Sequence, residues 1–275
     1  MWPCAVANRG SVATDRETSI RRGIEVLLSL GSEEALKDGG MGVTRISEML
    51  GREKSQVSRA LKALAEYGLV ERNRDALTYR LGWRIYALAQ LAGEPRLLEE
   101  AGPRLRRLAG ETQERAHFSV LQGTEVLTLL SESAGRAVEA VGWVGRVTPA
   151  YCTSAGAALL FDHDAAALEL LFADVEFTRR ARNTPEDVAA LHARIVHGRE
   201  RGVVLATDEF EGGLVAAAAP VRDAGGAIVG ALNVSAPSFR VDGQEEDLCA
   251  AVLAAAADLG QALAAVNDAP QVDAA

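Results

Sequence analysis

Within nine residues, Lys54 to Lys62, the stretch KSQVSRALK gathers one amide, two hydroxyls and three cations. These groups suit a nucleic acid, because amides and guanidinium groups pair with adenine and guanine edges while hydroxyls and ammonium groups hold phosphates. At about 100° per residue, Val57, Ala60, Leu61 and Leu64 share one arc, and Ser58, Arg59 and Lys62 share the opposite one. Ser55 is placed as an N-cap and Gln56 at the edge of the polar side, in the first turn. Such a helix is anchored on one flank and offers donors on the other. Solvated amphipathic helices share the pattern, so the flanking sequence has to decide between the two readings.

Other chemistry finds less support. His117, His163, His192 and His197 show no zinc-site spacing, and FDHDAA supplies one His with no evident further ligand. The glycines of GGAIVG sit in a hairpin turn and a strand, which is not the dinucleotide fingerprint. There is no GxSxG elbow. Ser154 and Cys152 have no sequence neighbour able to activate them, which leaves only a triad assembled through space. No catalytic residue, metal ligand or cofactor is expected. A small-molecule-binding domain with hydrolytic or redox activity is the alternative, and a protein-interaction module built on the Ala-rich terminal helix a third reading, better explained as a dimer contact.

The elements around the donor helix favour nucleic acid. Upstream, VTRISEMLG predicts a second short helix with Thr44 as N-cap, Ile46, Met49 and Leu50 at apolar spacing, and Gly51 as the left-handed terminator. Joined through GREK, the two make a helix-turn-helix. Downstream, extended runs around 69–72 and 77–81, connected by 73–76, predict a hairpin wing carrying Arg72, Arg74 and Arg80. The whole chain has 29 basic and 38 acidic residues, a net charge of −9, which argues against indiscriminate adhesion to polyanions. Residues 1–92 nevertheless hold 14 basic against 11 acidic residues, and 52–84 hold 8 against 4. Duplex affinity follows the cations that face the phosphates, so a basic head can coexist with an acidic body.

At 275 residues and 48% hydrophobic, the chain suits two domains. No run of about 18 uninterrupted apolar residues occurs; the segment 249–265 is broken by Asp258, Gly260 and Gln261 and reads as a buried or interface helix. The N-terminus shows no charged leader before an apolar stretch, and Cys4, Cys152 and Cys249 are too scattered for a disulfide framework, so a cytoplasmic protein is expected. After the wing, Ile85, Leu88, Leu91 and Ala92 predict a helix ended or bent by Pro95, then a second helix over 97–109 with Pro103 marking a break. The expected division is a tail at 1–18, the winged head at 19–82, a linker helix region at 83–101, a second domain at 102–267 and a tail at 268–275. In that domain HFSVL, EVLTLLSE, AVEAVGW, VVLAT, LVAAAAPV and AIVGALNVSAP read as strands. Helices are expected over 155–161, 165–172 and 245–266, and after Thr184 as cap with Pro185 in the first turn. Hairpin-joined strands with grouped helices predict an α+β domain with a largely antiparallel sheet.

Two constellations there could bind a ligand. Ser154, Ala155 and Gly156 lie at a strand-to-helix junction, where they either expose N–H groups to an anion or permit close packing. Asn233 and Ser235 share one strand face, lining a cavity or meeting water. The order of winged head, linker helix, TSAGAALL, DEFEGG, AAPVRDAGGAIVGALNVSAPSFR and long final helix resembles the IclR family of bacterial transcriptional regulators over nearly all of 19–266. The resemblance implies operator binding by the winged helix-turn-helix, a GAF-like domain that binds a small organic effector, and a homodimer or dimer of dimers. A repressor is the expected role. The second helix is expected in the major groove, with Gln56 and Arg59 on bases and Lys54, Ser55, Ser58, Lys62, Arg72, Arg74 and Arg80 mainly on phosphates; Arg45 joins this DNA-binding set. Ser154, Ala155, Gly156, Ala206, Ala216, Asn233 and Ser235 form the expected effector site. Many relatives carry Lys at 157, Cys at 216 and, in some, an acid at 206, where this chain has alanine. A more apolar acid or an aromatic compound is therefore expected in place of a short polar acid.

Overall fold

In a computed structural model, residues 19–73, 75–91, 95–134 and 143–265 are described. The chain divides into two compact units, Met1–Gly93 and Glu94–Ala275. The first contains α1 (Ser19–Ser29), α2 (Glu33–Lys37), β1 (Met41–Gly42), α3 (Val43–Leu50), α4 (Lys54–Glu66), β2 (Val70–Asn73), β3 (Thr78–Leu81) and α5 (Trp83–Ala89). Its core joins Val26 and Leu30 to Ile46, Val57, Leu61, Val70 and Tyr79, so the apolar arc of α4 is buried as its spacing requires. Leu61 is completely buried. The strands form an antiparallel sheet in the order β1-β3-β2. Gly82 closes the root of the wing: its N–H donates to Leu69 O, and a Cβ there would sit 2.3 Å from Gly68 O.

Several boundaries differ from expectation for identifiable reasons. Gly42, not Thr44, caps α3, because β1 pairs with β3 through Met41–Tyr79 and runs straight into the helix. Gly51 ends α3 with φ 63°, as expected. Glu53, not Ser55, is the N-cap of α4. Arg52 explains that shift, since its carbonyl accepts from the Ser47 hydroxyl and its guanidinium holds Glu25 at 2.6 Å, fixing the turn before Lys54. Asn73 ends β2 instead of starting the loop, and its side-chain oxygen accepts from the N–H groups of Asp75 and Ala76. Arg74 lies outside the described residues, as do the expected tails and, apart from Trp143, the expected strand AVEAVGW.

The second unit comprises α6 (Pro95–Thr112), β4 (Arg115–Gln122), β5 (Glu125–Glu132), β6 (Val147–Pro149), a short 3-10 turn (Ala150–Cys152), α7 (Ser154–Leu159), α8 (Ala165–Leu171), α9 (Val188–Arg201), β7 (Val204–Thr207), β8 (Leu214–Arg222), β9 (Ile228–Pro237), α10 (Ser238–Val241) and α11 (Glu245–Ala265). Pro95 opens α6, and Pro103 lies inside it without ending it. An interior proline costs a backbone bond; here Leu97, Ala101, Leu105 and Leu108 are buried on both sides of it, and that packing offsets the loss. Thr184 does not cap α9: Asp187 does, accepting from Ala190 N–H at 2.8 Å. The Thr184 hydroxyl is instead buried, donating to Glu209 O and accepting from the N–H groups of Arg180 and Ala181.

The six strands form one antiparallel sheet in the order β6-β5-β4-β9-β8-β7. On one face α6 and α11 pack over Phe118, Ala217, Ala219, Leu232 and Val234. On the other, α7, α8 and α9 bury Leu159, Leu168, Leu191 and Ile195 over Val126, Ala218 and Ala231. The α11 helix is long and apolar enough to cross a membrane, but it sits on the sheet with Leu248, Val252, Leu259 and Leu263 in the core. This is the antiparallel α+β architecture expected from the hairpin-joined strands. Leu61→Ala is expected to destabilise the first unit by about 2–5 kcal/mol and Leu61→Met by less than about 1.5 kcal/mol, read as shifts in urea midpoint.

Candidate functional site

On the first unit, Ser58, Arg59 and Lys62 are exposed opposite the buried Val57 and Leu61, Lys54 and Ser55 are exposed in the first turn, and Gln56 is half-buried. The other cations differ in availability. Arg45 is engaged by Glu34 at 2.5 and 2.9 Å and approached by Glu48 at 3.7 Å. Arg80 is held by Glu71 at 2.9 Å across the hairpin, and Arg72 lies over the Tyr79 ring at 5.8 Å. Lys54, Arg59 and Lys62 enter no ion pair among the described residues. Arg59 makes one local bond, Nε to Ser55 O at 3.3 Å. Three cations without an ion pair among the described residues therefore lie together on α4.

The second unit holds a cavity with about 590 Å³ of atom-free space, part of it open to solvent. Strand alternation builds one wall: Ala116, Phe118, Leu232 and Val234 enter the core, so His117, Ser119, Asn233 and Ser235 turn to the opposite face. Register sets His117 beside Asn233, and Ala206, Ala216 and Ser235 in a row across β7, β8 and β9. Ser154 and Ala155 of α7 close the space from above, with Thr128, Trp143, Glu209, Phe210 and Leu214 at its margins. Of the seven expected effector residues, six line this one cavity. Gly156 does not: a Cβ there would lie 2.1 Å from Ala150 O, and its N–H is already bonded to the Thr153 hydroxyl at 3.1 Å. Close packing accounts for that glycine.

The lining also includes polar residues outside the expected effector set, His117 and Glu209 among them. His117 is buried, its Nε2 3.3 Å from Ser235 Oγ and its ring centroid 5.2 Å from that of Trp143. Burial, then the charges of Arg115 and Arg146, lowers its pKa to about 3, so the ring is neutral at physiological pH. Glu209 is buried beside Arg194, whose own pKa burial lowers to about 10. Burial likewise raises Cys152 to about 11, which leaves a thiol and not the thiolate a nucleophile would need. No group of three or more His, Cys, Asp or Glu side chains able to hold a metal occurs among the described residues. The signal for His117 was in HFSVL all along: in a strand whose alternate residues Ala116 and Phe118 enter the core, the intervening imidazole takes the other face.

A winged helix-turn-helix with exposed cations on α4, in one chain with a cavity-bearing α+β unit, defines a DNA-binding regulator. Comparison with known proteins specifies it further. Residues 19–74 match the IclR helix-turn-helix domain, and residues 90–261 match the bacterial transcriptional regulator IclR C-terminal domain. The Pca regulon regulatory protein of Pseudomonas putida is 30% identical over 250 residues, spanning 89% of this chain and 84% of that one. An HTH-type transcriptional regulator of Mycobacterium tuberculosis is 32% identical over 220 residues, 78% of this chain and 82% of its own. An IclR homologue from Microbacterium hydrocarbonoxydans, solved with 4-hydroxybenzoate, shares the fold at a TM-score of 0.74 and 24% identity, covering 90% of this chain and 99% of that one. The chain belongs to the IclR family of bacterial transcriptional regulators.

The His117 shift has a measurable consequence. Because the folded-state pKa lies below the usual 6.5, the unfolded chain takes up a proton between about pH 6.5 and 3 that the folded chain does not. Stability is expected to fall with pH across that window by up to about 1.4 kcal/mol per unit from this group. Denaturant titrations of wild type and His117→Gln at stepped pH check it; parallel curves would contradict the assignment.

Proposed function

We propose that this regulator reads operator DNA with α4 in the major groove and that a small organic acid or aromatic effector occupies the cavity of the second unit and modulates that binding. The observation that carries the reading is the cluster of exposed donors on α4, where Lys54, Arg59 and Lys62 enter no ion pair among the described residues and stand beside Ser55, Ser58 and Gln56. Gln56 and Arg59 take base edges, and Lys54, Ser55, Ser58 and Lys62 take phosphates. Arg72, Arg74 and Arg80 extend the phosphate contacts along the wing. Arg45 and Arg80 contribute less than α4 does, because each would have to leave a carboxylate partner.

Repression is the expected mode, with the protein acting in the cytoplasm as a homodimer or dimer of dimers. The exposed Ile20, Ile24 and Leu28, four residues apart along α1, support a second copy covering that stripe. The apolar half of the cavity, with Ala206, Ala216, Leu214 and Phe210, supports an effector with hydrocarbon or aromatic body.

Fluorescence anisotropy on promoter fragments, with and without benzoate-type acids, tests the proposal. Arg59→Ala is expected to flatten discrimination at one base pair by about 1–3 kcal/mol. Lys62→Ala is expected to weaken every duplex alike and to reduce the slope of log K against log salt by about one phosphate contact. An unchanged sequence preference in the first variant would remove Arg59 from base reading, and absence of any duplex binding at low salt would sink the whole assignment.

A further inference from the structure

The cations of the first unit fall into two kinds. Lys54, Arg59 and Lys62 on α4 enter no ion pair among the described residues, whereas Arg45 and Arg80, which precede and follow α4 in the chain, each hold a carboxylate. Glu34 of α2 accepts from the Arg45 guanidinium on both its oxygens, at 2.5 and 2.9 Å, and Glu48 approaches the same group at 3.7 Å. Glu71 accepts from Arg80 at 2.9 and 3.2 Å as its direct partner across the wing. Because Val70 and Tyr79 enter the core, this second pair stands on the outer face of the hairpin.

A third pair shows what these two are not. Arg52 and Glu25 have side chains only 15% and 17% exposed, and they fix the turn before α4. The side chains of Arg45 and Arg80 are 54% and 62% exposed, and a pair so hydrated is held together by no more than about fivefold in its equilibrium. It opens readily for another anion. What differs is the return on opening. A free cation that meets a phosphate releases a counterion from the duplex and gains its entropy. A cation that must first drop a carboxylate gains less, because the stranded carboxylate lies beside a polyanion and recruits a salt cation of its own. The bond from Arg45 holds the Glu34 carboxyl below its usual range, so it stays charged, and stays a competitor, at neutral pH.

We infer that Glu34 and Glu71 are internal competitors for phosphate, each occupying an arginine that would otherwise meet the duplex backbone. They thereby lower the affinity for duplex of any sequence and blunt its salt dependence, which leaves discrimination to α4. The inference rests on the DNA reading proposed above and adds the residues that restrain it. Both carboxylates act through an arginine, so they are positioning residues.

Fluorescence anisotropy of the full chain on a random-sequence duplex, over a series of salt concentrations, tests it through two double-variant cycles. Glu71→Gln is expected to tighten binding about two- to fivefold and to steepen the slope of log K against log salt by up to about 0.9. In an Arg80→Gln background the same change is expected to lose most of both effects. Glu34→Gln and Arg45→Gln make the second cycle, with the same outcome expected, and it decides the question should a variant of the first fail to fold. A change of equal size with and without the arginine would mean plain repulsion between carboxylate and duplex, and would overturn the inference. Unchanged affinity and slope in both glutamine variants would overturn it as well, while leaving α4 as the reading helix. Absence of duplex binding by the wild-type chain at low salt would overturn the DNA reading and the inference with it.

Discussion

A strand can satisfy only two faces, and in β4 and β9 the inner face is claimed by Phe118, Leu232 and Val234 against α6 and α11. Everything polar on those strands is thereby committed to the other side. His117, Ser119, Asn233 and Ser235 have no choice of direction once the core is set, and a one-residue slip would bury them among leucines. On that second face α7, α8 and α9 cover the sheet over Val126, Ala218 and Ala231, and the space beside them is floored by Ala206 and Ala216. A cavity forms because the residues beneath the helices are small, with the polar side chains already aimed at it by register.

The first unit works under the complementary constraint that donors must stay unsatisfied within the chain to be available outside it. Sequence counting treats each Arg and Lys between 52 and 84 alike, whereas the fold sorts them. Arg52 is spent on Glu25 at 2.6 Å, where it holds the turn before α4, and Arg80 on Glu71 at 2.9 Å. An exposed pair of that second kind contributes little to stability and competes with a phosphate. The three cations of α4 have no such commitments among the described residues. Net charge is thus a poor guide to a reading surface, and pairing geometry is a better one.

Much of this was legible in the residues. The arc of Val57, Leu61 and Leu64, the glycine ending α3 and the antiparallel strands of the second unit follow from periodicity and turn chemistry, because each is settled by neighbours in sequence. The capping residues were less legible. Ser55 and Thr184 are good caps by type, but Ser55 stands two residues past the cap position Glu53 once Arg52 is tied to Glu25, and the Thr184 hydroxyl is claimed by Glu209 O, 25 residues away. The burial of Glu209 and Arg194 is illegible for the same reason, since nothing local tells a buried carboxylate from a solvated one. His117 lacks zinc-site spacing, and its place on the cavity wall depends on the register between β4 and β9, which no single segment encodes.

Coupling between cavity and reading helix is limited by what a ligand can distinguish. A molecule that meets the cavity lining equally well in two arrangements of the protein shifts neither, however tightly it binds. A hundredfold change in operator affinity requires about 2.7 kcal/mol of difference between arrangements. Buried polar side chains that line the cavity, such as His117 and Asn233, are groups for which that difference is attainable, because a misplaced partner in a low-dielectric cavity forfeits the bond and leaves the desolvation cost in place. The alanines at 206 and 216 supply little such contrast, since dispersion contacts fade gradually with distance. Polar lining groups accordingly offer a ligand more contrast between arrangements than an apolar floor does.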